Sequence, residues 1–253
     1  EIIVVNDKST DGSKEILAKI EGIKVLNHPY NKGYSASLKT GLLNAKYDWI
    51  GITDADGTYP NHEFKHLLEF TKDFDMVVGS RTKRSAKYPL IRKPAKLVIA
   101  TIANFVAERK IPDINSGLRI FKKSLAMKFF HLYPSRFSFT TTITLAALTN
   151  DYNVKYIPIT YYKRMSKSTM KPIKDTINFI WLLLRIGVYF KPIKVFSSFA
   201  AFLFIIALST FIISFIFTPQ VWDITVILFT ILSIQTFFSG LIVDVINRRS
   251  LAQ

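Results

Sequence analysis

Asp54 and Asp56 stand one residue apart behind the apolar run Trp49 to Thr53, and Gly57 follows them. A short apolar run closed by turn residues predicts a strand. In open α/β sheets ligands sit beyond the carboxyl ends of strands, which is where these two carboxylates fall. Paired acids there suit a hard divalent cation, Mg²⁺ or Mn²⁺, which commonly bridges carboxylates to substrate phosphates. A pyrophosphate-bearing ligand is the natural guest. The same residues also fit a plain turn, because Asp-Gly pairs are common turn formers, and the tripeptide alone leaves both readings open.

The elements around this segment alternate. Ile2 to Val5 predicts a strand, the cluster Asn6 to Gly12 a loop, and Ile16, Leu17 and Ile20 a helix. Ile23 to Leu26 predicts a second strand, followed by a Gly33 loop and a helix through Leu38, Leu42 and Leu43. Further on, Phe64 to Phe70 reads as helix and Met76 to Gly79 as strand. Helix is predicted over Pro94 to Arg109, Ser124 to His131 and Thr140 to Thr149, and strand over Gly117 to Phe121 and Val154 to Ile157. Such alternation means an α/β domain, a mostly parallel sheet flanked by helices.

Four blocks in this order carry a family pattern: Val4-Val5-Asn6-Asp7-Lys8-Ser9-Thr10-Asp11-Gly12; Asn31-Lys32-Gly33-Tyr34-Ser35; Asp54-Ala55-Asp56-Gly57-Thr58-Tyr59-Pro60; and Asn115-Ser116-Gly117-Leu118-Arg119. Gly79-Ser80-Arg81 and the stretch from Pro158 to Arg164 add two more. In these blocks the chain resembles the family 2 glycosyltransferases of the GT-A, Rossmann-like fold. Within that family it resembles the polyprenyl-phosphate branch that includes dolichol-phosphate mannose synthase. The resemblance covers essentially the whole chain. It implies a nucleotide-diphosphate sugar as donor, a polyprenyl phosphate as acceptor, Mg²⁺ or Mn²⁺ as cofactor, and inversion at the anomeric carbon.

It also implies roles residue by residue. Asp7 resembles the acid that reads the base or ribose, Asp54 and Ala55 resemble donor contacts, and Asp56 resembles the metal ligand, with Asp54 beside it. Arg81 and Arg119 resemble the arginines that hold the acceptor phosphate, a task suited to the planar guanidinium. Arg164 resembles a basic contact to the donor diphosphate. On this reading Asp56, Arg81 and Arg119 carry catalysis. The sequence departs from the pattern at Asn6, where an aspartate is common, and at Ser166 and Thr169, where Gly and Lys or Arg are common. Because the chain opens at Glu1 directly before a strand, a first strand and loop of the fold are expected to be missing.

Phe137 to Thr142 contains no carboxylate, although hydroxyl-acceptor members place a general base in about this region. A sugar hydroxyl must lose its proton as it attacks. A phosphate monoester, with a second pKa of about 6, is already a dianion near neutral pH. The missing base favours a phosphate acceptor over the alternative, a sugar hydroxyl of a lipid-linked oligosaccharide. His62-Glu63-Phe64-Lys65-His66 matches the spacing of zinc peptidases, but the sequence offers no convincing third ligand.

Two stretches, about 195–217 and 224–243, contain no charged residue and are long enough to cross a membrane as helices. Lys191 and Lys194 precede the first and Arg248 and Arg249 follow the second, so both ends are expected on the cytoplasmic side, with the catalytic domain. Before them, Ile177, Ile180, Trp181, Leu184 and Val188 follow a helical period, predicting an amphipathic interfacial helix. The expected organisation is a GT-A domain over 1–165, a basic loop and juxtamembrane helix over 166–194, and a two-helix transmembrane hairpin over 195–253. Between Lys155 and Lys194 the bases face one acid, Asp175, so much of the net charge of +16 adjoins the spans. That placement favours anionic lipid over nucleic acid, for which no basic-aromatic module is present. The sequence leaves a homo-oligomer open.

Overall fold

The computed structural model describes residues 1–82, 93–135, 138–162, 172–217 and 223–251. It forms two compact units, Glu1–Phe179 and Ile180–Gln253.

The first unit is the α/β domain. Its strands are β1 (Ile2–Asn6), β2 (Ile23–Asn27), β3 (Trp49–Ile52), β4 (Met76–Ser80), β5 (Arg119–Lys122) and β6 (Val154–Pro158). Between them lie α1 (Ser13–Leu17), α2 (Tyr34–Asn44), α3 (Phe64–Glu69), α4 (Lys93–Ala107), α5 (Lys123–Lys128) and α6 (Phe139–Thr149). β1 and β2 form a parallel pair with Asn6 opposite Asn27, and the other four form a sheet in the order β3-β5-β4-β6.

The second sheet is mixed where a mostly parallel one is expected, and β5 is the reason. β4 and β6 are parallel, while β5 pairs antiparallel with both β3 and β4. β3, β4 and β6 therefore share one direction and β5 alone runs back between them. Arg119, at the start of β5, lies opposite Ile52 at the end of β3 and Val78 near the end of β4. The reversal carries the loop before Arg119 over the carboxyl ends of both neighbours.

β4 is buried at every position, as expected of a strand covered on both faces. Val77, Leu118, Ile120, Ile157 and Ile159 form a core cluster with Leu67 and Tyr59, and Phe64, Phe70 and Tyr161 pack against it. Each large side chain buried this way contributes about 1.5–3 kcal/mol. α6 is buried from Phe139 to Leu148, and its threonines meet this by bonding inward, Thr142 and Thr144 to the carbonyls of Ser138 and Thr140.

α7 (Pro172–Phe190) leads into the second unit, which contains α8 (Pro192–Phe217) and α9 (Asp223–Leu251). On α7, Ile177, Trp181 and Leu184 are exposed at helical spacing while Phe179, Leu183 and Ile186 are buried. The helix thus has an apolar face turned outward besides its buried one. Pro192–Phe217 and Ile224–Arg248 are long and apolar enough to cross a membrane, with mean hydropathy 2.6 and 2.2 over their most apolar stretches.

α8 and α9 pair as an antiparallel hairpin, since Phe196 meets Gly240 and Ala200 meets Ser233. Small residues allow the approach, as is usual between apolar helices. Ala200, Ala207 and Ser214 are buried on α8, and Ser233 donates a 2.8 Å hydrogen bond to the Ala200 carbonyl. A Cβ on Gly240 would lie 2.5 Å from Phe196 Cβ. At the far end of α9, Asn247 donates to the carbonyls of Val188 and Tyr189, closing the last turn of α7 at 3.1 and 2.8 Å. Gly240→Leu is expected to cost about 1–3 kcal/mol by overpacking. Thermal unfolding in detergent should show a lowered Tm for that variant and an unchanged one for Ser239→Ala.

Candidate functional site

The reversal of β5 places Gly117 against Asp54. A Cβ built on Gly117 would sit 2.9 Å from Asp54 Oδ2 and 3.0 Å from Oδ1. A side chain there must displace Asp54, because the neighbour is a half-buried carboxylate on a short stem behind a strand end. The glycine is itself pinned: its amide donates to Tyr59 Oη at 2.7 Å, and Ser116 Oγ donates to the Gly79 carbonyl on β4. Tyr34, at the start of α2, is hydrogen-bonded to Asp54 through its hydroxyl. Burial, then the Asp54 charge and that bond, raise the phenol well above its ordinary value, so the proton stays on Tyr34.

Asp56 lies in a turn. Its Oδ1 accepts from the Thr58 amide at 3.1 Å and the Thr58 hydroxyl at 2.6 Å, and Gly57 adopts φ of +72°, a conformation glycine takes without strain. Thr58 is fully buried, and its carbonyl accepts from the Tyr162 amide beyond β6 at 2.9 Å. Ala55 is exposed between the two acids. Among the described residues no group of three or more His, Cys, Asp or Glu side chains gathers as a metal cage. Asp54 and Asp56 are therefore the two carboxylates that lie together beyond β3, oxygen donors of the kind that suit a hard divalent cation. The zinc-peptidase spacing is not realised on one helix: His62 lies in a 3-10 turn, Asn61–Glu63, and His66, in α3, contacts Glu69.

Arg119 is placed differently from the expected phosphate contact. It is fully buried. Nε and Nη2 donate to the Ser116 carbonyl, and Nη1 donates to the Thr140 carbonyl at 3.0 Å and Thr144 Oγ1 at 2.8 Å. Burial lowers its hold on the proton, opposed by the nearby Tyr156, Tyr34, Asp113 and Tyr59, and a guanidinium stays charged regardless. Its reach is to the backbone of the Ser116-Gly117 loop and the first turn of α6.

Arg81, just after β4, forms a two-pronged pair with Asp113: Nε to Oδ2 at 2.7 Å and Nη2 to Oδ1 at 2.8 Å. The Arg81 amide also donates to Asp113, and the guanidinium lies 5.3 Å from the centre of the Tyr161 ring. Burial alone would raise the Asp113 carboxyl, but the bonds and charge of Arg81 and the Asn115 amide hold it below the usual carboxylate range.

Asp7 follows β1 and clamps the second sequence block. The amides of Lys32 and Gly33 donate to its Oδ1 and Oδ2 at 2.8 and 2.7 Å, and His28 Nδ1 donates to Oδ1 at 2.7 Å. Burial raises this carboxyl, but those hydrogen bonds outweigh it and the net shift is downward. Asn6 turns its amide inward, donating to Asn27 on β2 and accepting from the Ser9 amide. Arg164, Ser166 and Thr169 lie outside the described residues.

Asp113 and His28 take part in this site without having been singled out by the sequence, and Tyr34 and Tyr59 stand in the family blocks with no role assigned to them. For His28 a signal exists: β1 and β2 are in register at Asn6 and Asn27, so the residues after them, Asp7 and His28, emerge side by side. Asp113 precedes Asn115 by two residues, and nothing in its spacing marks Arg81 as its partner.

Residues after parallel strands, a carboxylate pair beyond β3 and a reversed β5 delivering a glycine onto it are the arrangement of the GT-A fold. Superposition agrees: glucosyl-3-phosphoglycerate synthase from Mycobacterium tuberculosis, solved with Mn²⁺, UDP and phosphoglyceric acid, matches with a TM-score of 0.57 at 15% identity, over 74% of this chain and 67% of that one. The glycosyl transferase family 2 domain matches residues 1–130, just over half of the 253 residues, and the chain belongs to that family. It is 29% identical over 207 residues to a dolichyl-phosphate beta-glucosyltransferase of Trichomonas vaginalis, covering 76% of this chain and 60% of that one. A low-salt glycan biosynthesis hexosyltransferase of Haloferax volcanii is 27% identical over 179 residues, 68% of this chain and 43% of that one. A UDP-N-acetylglucosamine–dolichyl-phosphate N-acetylglucosaminyltransferase of Methanococcus voltae is 28% identical over 216 residues, 74% of this chain and 85% of that one. The chain therefore spans less than two thirds of the length of the Trichomonas and Haloferax relatives.

The Arg81–Asp113 pair yields a test. Removing one partner of a buried pair costs about 3–5 kcal/mol. Asp113→Ala should lower the Tm by that equivalent, and Asp113→Asn by less. Because the folded-state carboxyl titrates below its unfolded value, its contribution is complete above about pH 4 and disappears as pH falls through the folded value. Wild-type stability measured from pH 7 to pH 2 should therefore fall more steeply than that of Asp113→Asn.

Proposed function

We propose that the chain transfers a sugar from a nucleotide diphosphate to a polyprenyl phosphate, inverting the anomeric carbon. The observation that carries this is the Asp54 carboxylate held beyond β3 against Gly117, with Asp56 in the adjoining turn. Asp54 and Asp56 would hold a divalent ion, Mg²⁺ or Mn²⁺, which when bound shields charge on the leaving diphosphate. Two of the relatives above are named for dolichyl phosphate and one of those for a UDP-sugar, which supports both substrate classes.

Asp7 acts on the donor by holding the amides of Lys32 and Gly33, shaping the wall of the nucleotide pocket. Ala55, exposed and without bulk, lets the donor approach the turn. Arg164 is retained as the cation that draws the diphosphate. Arg81, oriented by Asp113, is the residue assigned to the acceptor phosphate. Arg119 takes a positioning role in place of phosphate contact, because its guanidinium is bound to carbonyls inside the core and acts through Ser116 and Gly117 on Asp54.

The acceptor's second charge removes the need for a general base. The first turn of α6 agrees with this, as Thr141 Oγ1 donates to Asn115 and Thr144 bonds Arg119, with no carboxylate among them. Rate enhancement would come from orientation and charge stabilisation. α8 and α9 are assigned as membrane spans, with both ends of the hairpin and the catalytic unit on the cytoplasmic side, a reading the flanking cations support.

Membranes containing the full chain, given UDP-glucose or UDP-N-acetylglucosamine, polyprenyl phosphate and Mn²⁺ or Mg²⁺, should form a glycolipid cleaved by mild acid. Asp56→Ala should reduce the rate about 10²- to 10³-fold, the scale of losing one transition-state charge stabiliser. A product stable to mild acid would shift the acceptor to a sugar hydroxyl, and no transfer from any nucleotide sugar would overturn the proposal.

A further inference from the structure

One line of exposed side chains runs along α9 in alternating steps of three and four residues: Leu228, Ile231, Gln235, Phe238, Ile242 and Val245. Each apolar member is more than half exposed. The side of α9 that carries Ser233 and Gly240 packs on α8, so this line faces away from the hairpin. Gln235 interrupts it about 17 Å along the helix from Ile224, near the middle of a layer roughly 30 Å thick.

Hydroxyls in these helices bond to backbone carbonyls, Ser233 across the hairpin and others on the preceding turn. Thr230 donates to the Val226 carbonyl at 2.8 Å and Ser239 to the Gln235 carbonyl at 2.9 Å. The Gln235 carboxamide makes no such bond among the described residues. It brings two donors and an acceptor to a depth where hydrocarbon provides no partner, so leaving it exposed to lipid is costly.

We propose that a second copy of this chain docks on this line, α9 against α9, with the two Gln235 carboxamides hydrogen-bonded to each other. The pairing rests on the assignment of α8 and α9 as membrane spans. A carboxamide complements itself, and in a two-fold contact a residue near the axis meets its own copy. Copies inserted with the same topology present parallel α9 helices, and the three-four spacing is the seam of a left-handed helix pair. One polar residue in such a seam fixes the register and the number of chains. A different partner would have to supply a matching amide at the same depth, which the second copy does without further condition.

The chain has no cysteine, so single cysteines report directly. They are introduced at Ile231, Phe238 and Ile242, and off the line at Phe237 on α9 and Ile205 and Ile213 on α8, all exposed. Each full-length variant is reconstituted at low density in phosphatidylcholine bilayers, oxidised, and resolved under denaturing conditions. Disulfide-linked dimers are expected at the three seam positions, with little or none at the other three. Gln235→Leu should weaken dimerisation about 3- to 30-fold, and Gln235→Asn should retain most of it. Equal yields on and off the seam, no dimers, or dimerisation unchanged by Gln235→Leu would overturn the pairing while protein resists alkaline carbonate extraction. Release of the chain by carbonate would overturn the spanning assignment and the pairing together.

Discussion

A carboxylate beyond the end of β3 stays in place because the residue facing it has no side chain. Asp54 and Gly117 approach so closely that a single added carbon would lie 2.9 and 3.0 Å from the carboxylate oxygens, inside ordinary contact distance. The rest of the α/β unit is organised around that approach. β5 runs against its neighbours so that its leading loop crosses the ends of β3 and β4. Tyr59 and Ser116 pin the loop from two sides, and Arg119 supports it from the core. A buried guanidinium is costly, and this one is compensated by donating to the Ser116 and Thr140 carbonyls and the Thr144 hydroxyl.

How far the sequence reveals this varies by element. Strand and helix positions follow from periodicity, and the order of the four blocks identifies the family because together they specify turns, not surface chemistry. The antiparallel course of β5 is not legible, since Arg119-Ile120-Phe121-Lys122, two apolar residues between two basic ones, reads alike in either direction. Arg119 is the clearest divergence. Arginine in a family block reads as a phosphate ligand, but whether it faces solvent or core depends on packing by α6, whose threonines accept from it inside a buried helix. Asp113 is illegible for the complementary reason: its partner is distant in sequence, at Arg81, and a pair closed only by tertiary structure leaves no local spacing to read.

The two units solve opposite problems with the same groups. In the α/β unit, polar side chains such as Asp7 and Asp56 hold loops by accepting hydrogen bonds from backbone amides. In the hairpin the backbone is already satisfied within each helix, so a polar side chain must find a carbonyl, as Ser233 does, or a partner from outside. Asn247 shows the intermediate case, capping the carbonyls that end α7.

Titration of UDP into Gly117→Ala with and without Mn²⁺ tests most directly whether the space between Gly117 and Asp54 sets the proposed donor site. The expected result is a folded protein with wild-type far-UV circular dichroism whose Mn²⁺-dependent gain in UDP affinity is lost, while its weak metal-independent binding is retained. Wild-type Mn²⁺-dependent affinity in Gly117→Ala would contradict the account.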